Sequence, residues 1–156
     1  MQRNVVTHVS EYMTSGPFAV GPSEPLANAA RLMHKYDVHH LPVWTEGKLV
    51  GIISAQDVQH VRMLTAGPID AITVEDAMTR DPYAPSPSTA LVDVVRTMAE
   101  RRIGSAVVVD AGRIVGVFTA TDAMHVLVDA LEGKLSGSLG DPRARPSRSS
   151  RRQAAR

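Results

Sequence analysis

At 156 residues, 44% of them hydrophobic and 21% charged, the chain can form one domain or two small, mutually dependent halves of ordinary globular composition. The absence of cysteine excludes disulfides, thiolate metal sites and cysteine catalysis together. The net charge of +1 conceals a split: six arginines and no acid lie beyond residue 141, and taking them from the 17 basic residues leaves 11 against 16 acidic ones.

Residues 1–11 contain Arg3 but no apolar stretch that could form a signal-peptide core. No apolar run approaches the roughly 20 residues needed to span a bilayer, so a soluble cytoplasmic protein with no membrane partner is expected. Residues 18–20 lie between Pro17 and Pro22 and suit an edge strand. Leu26, Ala29, Ala30, Met33 and Tyr36 then recur at helical spacing. Residues 41–44 read as a buried strand, Thr45-Glu46-Gly47-Lys48 as a turn whose glycine supplies positive φ, and residues 49–54 as the returning strand. A second helix begins at Ala55, with Ser54 placed to cap it. Gly67-Pro68 punctuates a linker.

Beyond the linker the pattern begins again. Met13-Thr14 falls on Met78-Thr79, Pro22-Ser23 on Pro87-Ser88, Val50-Gly51 on Val115-Gly116 and Asp57 on Asp122, and the offset, 78 less 13, stays at 65 throughout. The second copy has its own edge segment at 83–85, a helical stripe of Leu91, Val94, Val95 and Met98, and strands at 106–109 and 114–119. Its closing helix starts at Ala120 behind Thr119. Each β-α-β-β-α unit, about 50 residues long, is too small to bury an adequate core alone. The expected fold is therefore α+β: two such repeats packed sheet to sheet as a pseudo-twofold pair sharing one core. In chain order the division is 1–66 for the first repeat with its lead-in, 67–134 for the second with the linker, and 135–156 for a disordered basic tail.

The duplicated residues resemble the CBS-domain family, whose pairs form a Bateman module. The signature is Met13-Thr14, Pro22, Leu41-Pro42-Val43, the run from Gly47 through Gly51 to Ser54, and Asp57. The second copy answers with Met78-Thr79, Pro87, Val107-Val108-Val109, Gly112 through Gly116 to Thr119, and Asp122. The resemblance implies that an adenosine ligand (AMP first, then ADP, ATP, NAD or S-adenosylmethionine) binds in the cleft between repeats as a regulatory ligand. It implies that Asp57 and Asp122 accept from ribose hydroxyls, as suits a carboxylate with two oxygens. Ser54 and Thr119 would add a hydroxyl, beside helix-terminal amides suited to phosphate. Val20, Pro42, Ala84 and Val107 would border the adenine, and His39 and His40 would approach phosphate, with Gly104 and Ser105 in their place in the second cleft. A Ser or Thr followed by Asp in the first helical turn is equally a plain N-cap. The two histidines are equally ordinary loop residues.

Departures from the family pattern weigh against a triphosphate and against equivalent clefts. Ala19 and Ala84 replace a common threonine, and Gln56 and Thr121 stand where an arginine often precedes the aspartate. Arg101 and Arg102 could compensate, or could simply be a solvated helix end.

No nucleophile with a base, paired acid and base, or glycine-rich phosphate loop is present. No third ligand at metal-binding spacing accompanies His39-His40. Neither catalytic nor metal-ligating residues are therefore nominated, and the chain is not expected to be an enzyme. Two alternatives stand beside the sensor reading. One is a dimerisation module with degenerate clefts, built on the stripes Val58, Val61, Leu64 and Met124, Leu127, Val128, Leu131. The resemblance implies a homodimer in either case, and any output would pass to an unidentified effector protein. The other is nucleic-acid association through the arginine tail. That partner is not expected, because the tail lacks stacking aromatics and the body is acidic.

Overall fold

Two antiparallel hairpins, each turning on a glycine, organise the fold of residues 6–135, which the computed structural model describes. The expected basic tail lies outside those residues, apart from Leu135. In chain order the elements are β1 (Thr14–Ser15), α1 (Leu26–Tyr36), β2 (His40–Thr45), β3 (Lys48–Ser54), α2 (Ala55–Leu64), α3 (Val74–Ala77) and β4 (Thr79–Arg80). They continue with α4 (Leu91–Arg101), β5 (Ser105–Asp110), β6 (Arg113–Thr119) and α5 (Ala120–Leu131). Among the described residues no helix is long and apolar enough to cross a membrane.

The 65-residue repeat is reproduced in detail. Glu46 and Gly47 turn the first hairpin at φ 48° and 73°, and Ala111 and Gly112 the second at 46° and 76°. Two consecutive positive values are the type I′ pattern that matches strand twist. α1 and α4 both end on a left-handed residue, Asp37 and Arg102. The next amide then folds back: Val38 donates to the Met33 carbonyl and Ile103 to that of Met98, each at 3.0 Å. This reversal aims the chain into β2 and β5.

The edge segments are shorter than full strands. The Val20 amide donates to the Pro42 carbonyl at 3.0 Å, and the Trp44 amide to the Val20 carbonyl at 2.9 Å. Val107 and Val109 likewise donate to the carbonyls of Tyr83 and Pro85. Flanking prolines, which lack an amide hydrogen, keep these contacts from growing into a ladder.

What the periodicity did not reveal is an exchange of strands between repeats. β1 pairs antiparallel with β6, while β4 pairs with β3, giving sheets in the order β1-β6-β5 and β2-β3-β4. Packing follows suit. Val74, Ile72 and Met78 join the cluster around Leu26, Met33, Leu41 and Ile53, whereas Val9, Tyr12 and Met13 join that around Leu91, Val94, Met98 and Phe118. The Tyr12 hydroxyl donates to Asp129 Oδ2 on α5 at 2.6 Å. The lead-in ahead of each repeat thus belongs spatially to the other one.

Instead of one shared core there are two clusters with a layer between them. Side chains alternate across a strand, so Leu41, Val43 and Ile53 face their helices while Pro42 and Ile52 face away. Ala106, Val108 and Phe118 stand in the same relation to Val107 and Val117. All four outward residues are nonetheless buried, which places them where the two sheets meet.

The exchange explains two glycines. A Cβ at Gly51 would lie 2.8 Å from the backbone carbonyl of Thr79, and one at Gly116 would lie 2.8 Å from Met13 Cγ. Gly51→Ala is expected to cost about 1–3 kcal/mol through overpacking against backbone. Gly116→Ala should cost less, because the flexible Met13 side chain can yield, and Met13→Ala should relieve it. Denaturant midpoints of the three variants check this ordering.

Candidate functional site

The site begins where each hairpin delivers its second strand into a helix. Ser54 ends β3 opposite His40 on β2, and Thr119 ends β6 opposite Ser105 on β5. The Ala55 amide donates to the His39 carbonyl at 2.8 Å, and Ala120 to that of Gly104 at 2.9 Å. The residues before β2 and β5 are thereby pinned against the starts of α2 and α5.

Both aspartates are caps. Asp57 Oδ2 accepts from the Ser54 amide at 2.8 Å and from its hydroxyl at 2.7 Å, and the Asp57 amide donates back to Ser54 Oγ at 3.1 Å. Asp122 Oδ2 accepts from the Thr119 amide at 2.9 Å and hydroxyl at 3.1 Å. Two donors on one carboxylate oxygen satisfy amides that helix geometry would otherwise leave open. The same device holds α3, where Asp76 Oδ2 accepts from the Thr73 amide and hydroxyl. Those bonds hold the Asp76 carboxyl below its ordinary pKa, the amide bond contributing most. Capping therefore accounts for a Ser/Thr-x-x-Asp spacing without any ligand.

Placement distinguishes the first two from the third. His40 shares the sheet-to-sheet face with Pro42, by strand alternation, and its neighbours come from both repeats. Burial depresses its pKa, with His39 adding to the effect, while the carboxylates of Asp57 and Asp122 oppose it. One imidazole thus lies within electrostatic reach of both aspartates, which are 65 positions apart in sequence. Asp122 is also only 3% exposed, a rare state for a carboxylate.

The remaining nominated residues divide. Val20, Pro42 and Val107 are buried beside the strand ends, while Ala84 and Gly104 are exposed and Ser105 is half-buried. His39 parts from His40: it is exposed and lines a groove of about 560 Å³ between α1 and α2, together with Arg31, His34, Gln59 and Arg62. Sequence reasoning missed this groove because its residues come from three separate segments.

The profile of the CBS domain matches the chain twice, over residues 9–63 and 74–129, and so covers most of it. The chain belongs to the CBS-domain family. As a CBS pair it is similar to the CBS domain-containing protein YhcV of Bacillus subtilis, with 26% identity over 133 residues that cover 85% of this chain and 92% of that protein. It is 28% identical over 121 residues to the inosine-5′-monophosphate dehydrogenase of Korarchaeum cryptofilum, covering 77% of this chain but only 24% of the enzyme's length. Among solved structures, the CBS domain pair of protein MJ0100 in complex with 5′-methylthioadenosine and S-adenosyl-L-methionine gives a TM-score of 0.72 at 26% identity, covering 81% of this chain and 99% of that one. CBSX2 in complex with AMP gives 0.64 at 26% identity, with coverage of 80% and 98%.

The position of His40 in this CBS pair sets a pH dependence. Because the folded state favours the neutral imidazole, the unfolded chain takes up the proton first as pH falls. The stability contribution is therefore complete above about pH 6.5 and is lost as pH drops toward the lowered folded value. Thermal unfolding followed across that range should show the decline, and His40→Gln should flatten it.

Proposed function

We propose that the chain is a regulatory module that binds an adenosine ligand between its two CBS repeats and catalyses no reaction. The observation that carries this reading is the position of His40 opposite Ser54 at the start of α2, where the carboxylates of both Asp57 and Asp122, one from each repeat, act on its charge. A carboxylate from each repeat can accept from ribose hydroxyls while it keeps its helix capped. Pro42 and Val107, both buried, pack in the layer behind it. The complexes of similar CBS pairs with S-adenosyl-L-methionine, 5′-methylthioadenosine and AMP support an adenosine ligand. AMP is the first choice: a single phosphate can be met by the His40 imidazole, which stands at the start of β2 opposite Ser54. A triphosphate would need cations that Ala19, Gln56, Ala84 and Thr121 do not provide.

The two clefts differ, with His40 in one and Ser105 in the other, so one of them binds more tightly. Ligand bridging the repeats biases their relative angle by no more than its differential affinity for the two arrangements. The output passes to a separate effector protein or through a homodimer. A second reading, a dimerisation module with empty clefts, is favoured by the uncovered apolar side chains of α5.

Calorimetric titration with AMP, ATP, NAD and S-adenosylmethionine tests the proposal. Asp57→Ala or Asp122→Ala should weaken AMP binding roughly 10- to 100-fold, as expected for a hydrogen bond to a charged group. Asp76→Ala removes the same kind of cap away from the cleft. It should lower stability by about 0.5–2 kcal/mol and leave binding intact. A folded protein that takes up none of these ligands would overturn the sensor reading in favour of the scaffold.

A further inference from the structure

The first repeat carries a second concave surface, the groove of about 560 Å³ between α1 and α2, and none of His40, Asp57 and Asp122 lines it. Its size falls within the roughly 300–1,000 Å³ of small-molecule pockets. The floor is apolar, with half-buried Ala30, Val38 and Ile69 lying over buried Met33 and Val58. The rim is cationic. Arg31 and His34 come from α1, Arg62 from α2, and His39 stands just before β2, all four exposed. Asp37, where α1 ends, is the one acid among the described lining residues. Two arginines against one aspartate leave the lining positive even with both imidazoles neutral.

The sequence withholds helical partners from both arginines. Neighbours on a helix surface lie three and four residues away. For Arg31 these are Ala27, Asn28, His34 and Lys35, and for Arg62 they are Val58, Gln59, Thr65 and Ala66, with no acid among them. Among the described residues neither arginine is ion-paired. The other repeat shows the contrast. At the position equivalent to Arg31, Arg96 is paired with Asp93 at 2.8 Å, whereas Asn28 replaces that aspartate on α1. Ala99, Gly104 and Leu127 stand for His34, His39 and Arg62. The cationic rim thus belongs to the first repeat alone.

A guanidinium presents a fork of N–H donors that matches phosphate oxygens, and an imidazole donates an N–H in either protonation state. An apolar floor is idle beneath a bare inorganic ion but suits the organic part of an ester. We propose that this groove is a second ligand site of the chain, taking an organic phosphate monoester. Arg31 and Arg62 hold the phosphate, His34 and His39 donate beside them, and the organic group lies over Ala30 and Val38. The site is separate from the cleft and does not rest on the adenosine reading.

Phenyl phosphate is the probe, titrated by calorimetry and followed in parallel by the histidine ring-proton NMR signals, assigned through His34→Gln and His39→Gln. One equivalent should bind per chain and move the His34 and His39 signals. Arg31→Gln and Arg62→Gln should each weaken binding roughly 10- to 100-fold, whereas Arg96→Gln should leave it unchanged. Inorganic phosphate should bind more weakly than the ester, and benzyl alcohol, which lacks the anion, should not bind. A folded protein that takes up no phenyl phosphate would refute the site. Affinity unchanged in both first-repeat variants, or weakened equally by Arg96→Gln, would refute it as well, the latter by reporting general charge attraction. Inorganic phosphate held as tightly as the ester would overturn the organic class of ligand. Asp122→Ala separates this site from the cleft: it should weaken AMP binding as above and leave phenyl phosphate untouched. Loss of phenyl phosphate in Asp122→Ala would put the probe in the cleft and overturn the second site.

Discussion

A methionine from each lead-in lies against a glycine in the other repeat's hairpin, Met13 over Gly116 and Met78 over Gly51. The short strands beside those methionines, β1 and β4, complete β6 and β3 across the pair. A Cβ at Gly51 would meet the backbone of the crossing segment at Thr79, whereas one at Gly116 would meet only the Met13 side chain. Once both crossings are made, each hairpin is tied to a segment of the other repeat. Everything proposed for the cleft depends on that tie, because its carboxylates belong to different repeats.

Asp57 and Asp122 cap the helices that follow each hairpin. The observed bonds from the Ser54 and Thr119 amides and hydroxyls all fall on Oδ2. A residue that must cap a helix is held in one rotamer, and that same restraint preorganises it for recognition. The cost of ordering the carboxylate is met by folding, so a ligand of the proposed kind would not have to meet it. Asp76 has the cap without the setting, so it serves as an internal comparison for the role proposed for the other two.

The repeated unit was readable because its apolar spacing, turn glycines and caps are local signals that agree with one another. Both hairpins and both long helices of each repeat follow from them. The exchange was not readable from spacing, since β1 and β4 are two residues long and carry no period. A trace of it was present: a glycine in the middle of an apolar strand, Gly51 or Gly116, signals close backbone approach, and each recurs at the same offset as a Met-Thr pair. At the site, the pairing of Asp57 with Asp122 came from resemblance, and the capping reading from spacing alone. The divergence of His39 from His40 needed the structure, because adjacent residues at a strand entry part to opposite sides only once the strand's register is known.

The crossed lead-ins also change what it means to divide this protein. A cut near Gly67 would separate the chain by sequence without separating the fold. Each fragment would leave behind a strand, a methionine and part of a core that the other had contributed, so the two halves would remain associated like interlocked hands. Neither repeat could be transplanted alone as cut from the sequence. Whatever inheritance or engineering does to this module must act on the pair, or first move the lead-ins to the repeats they serve.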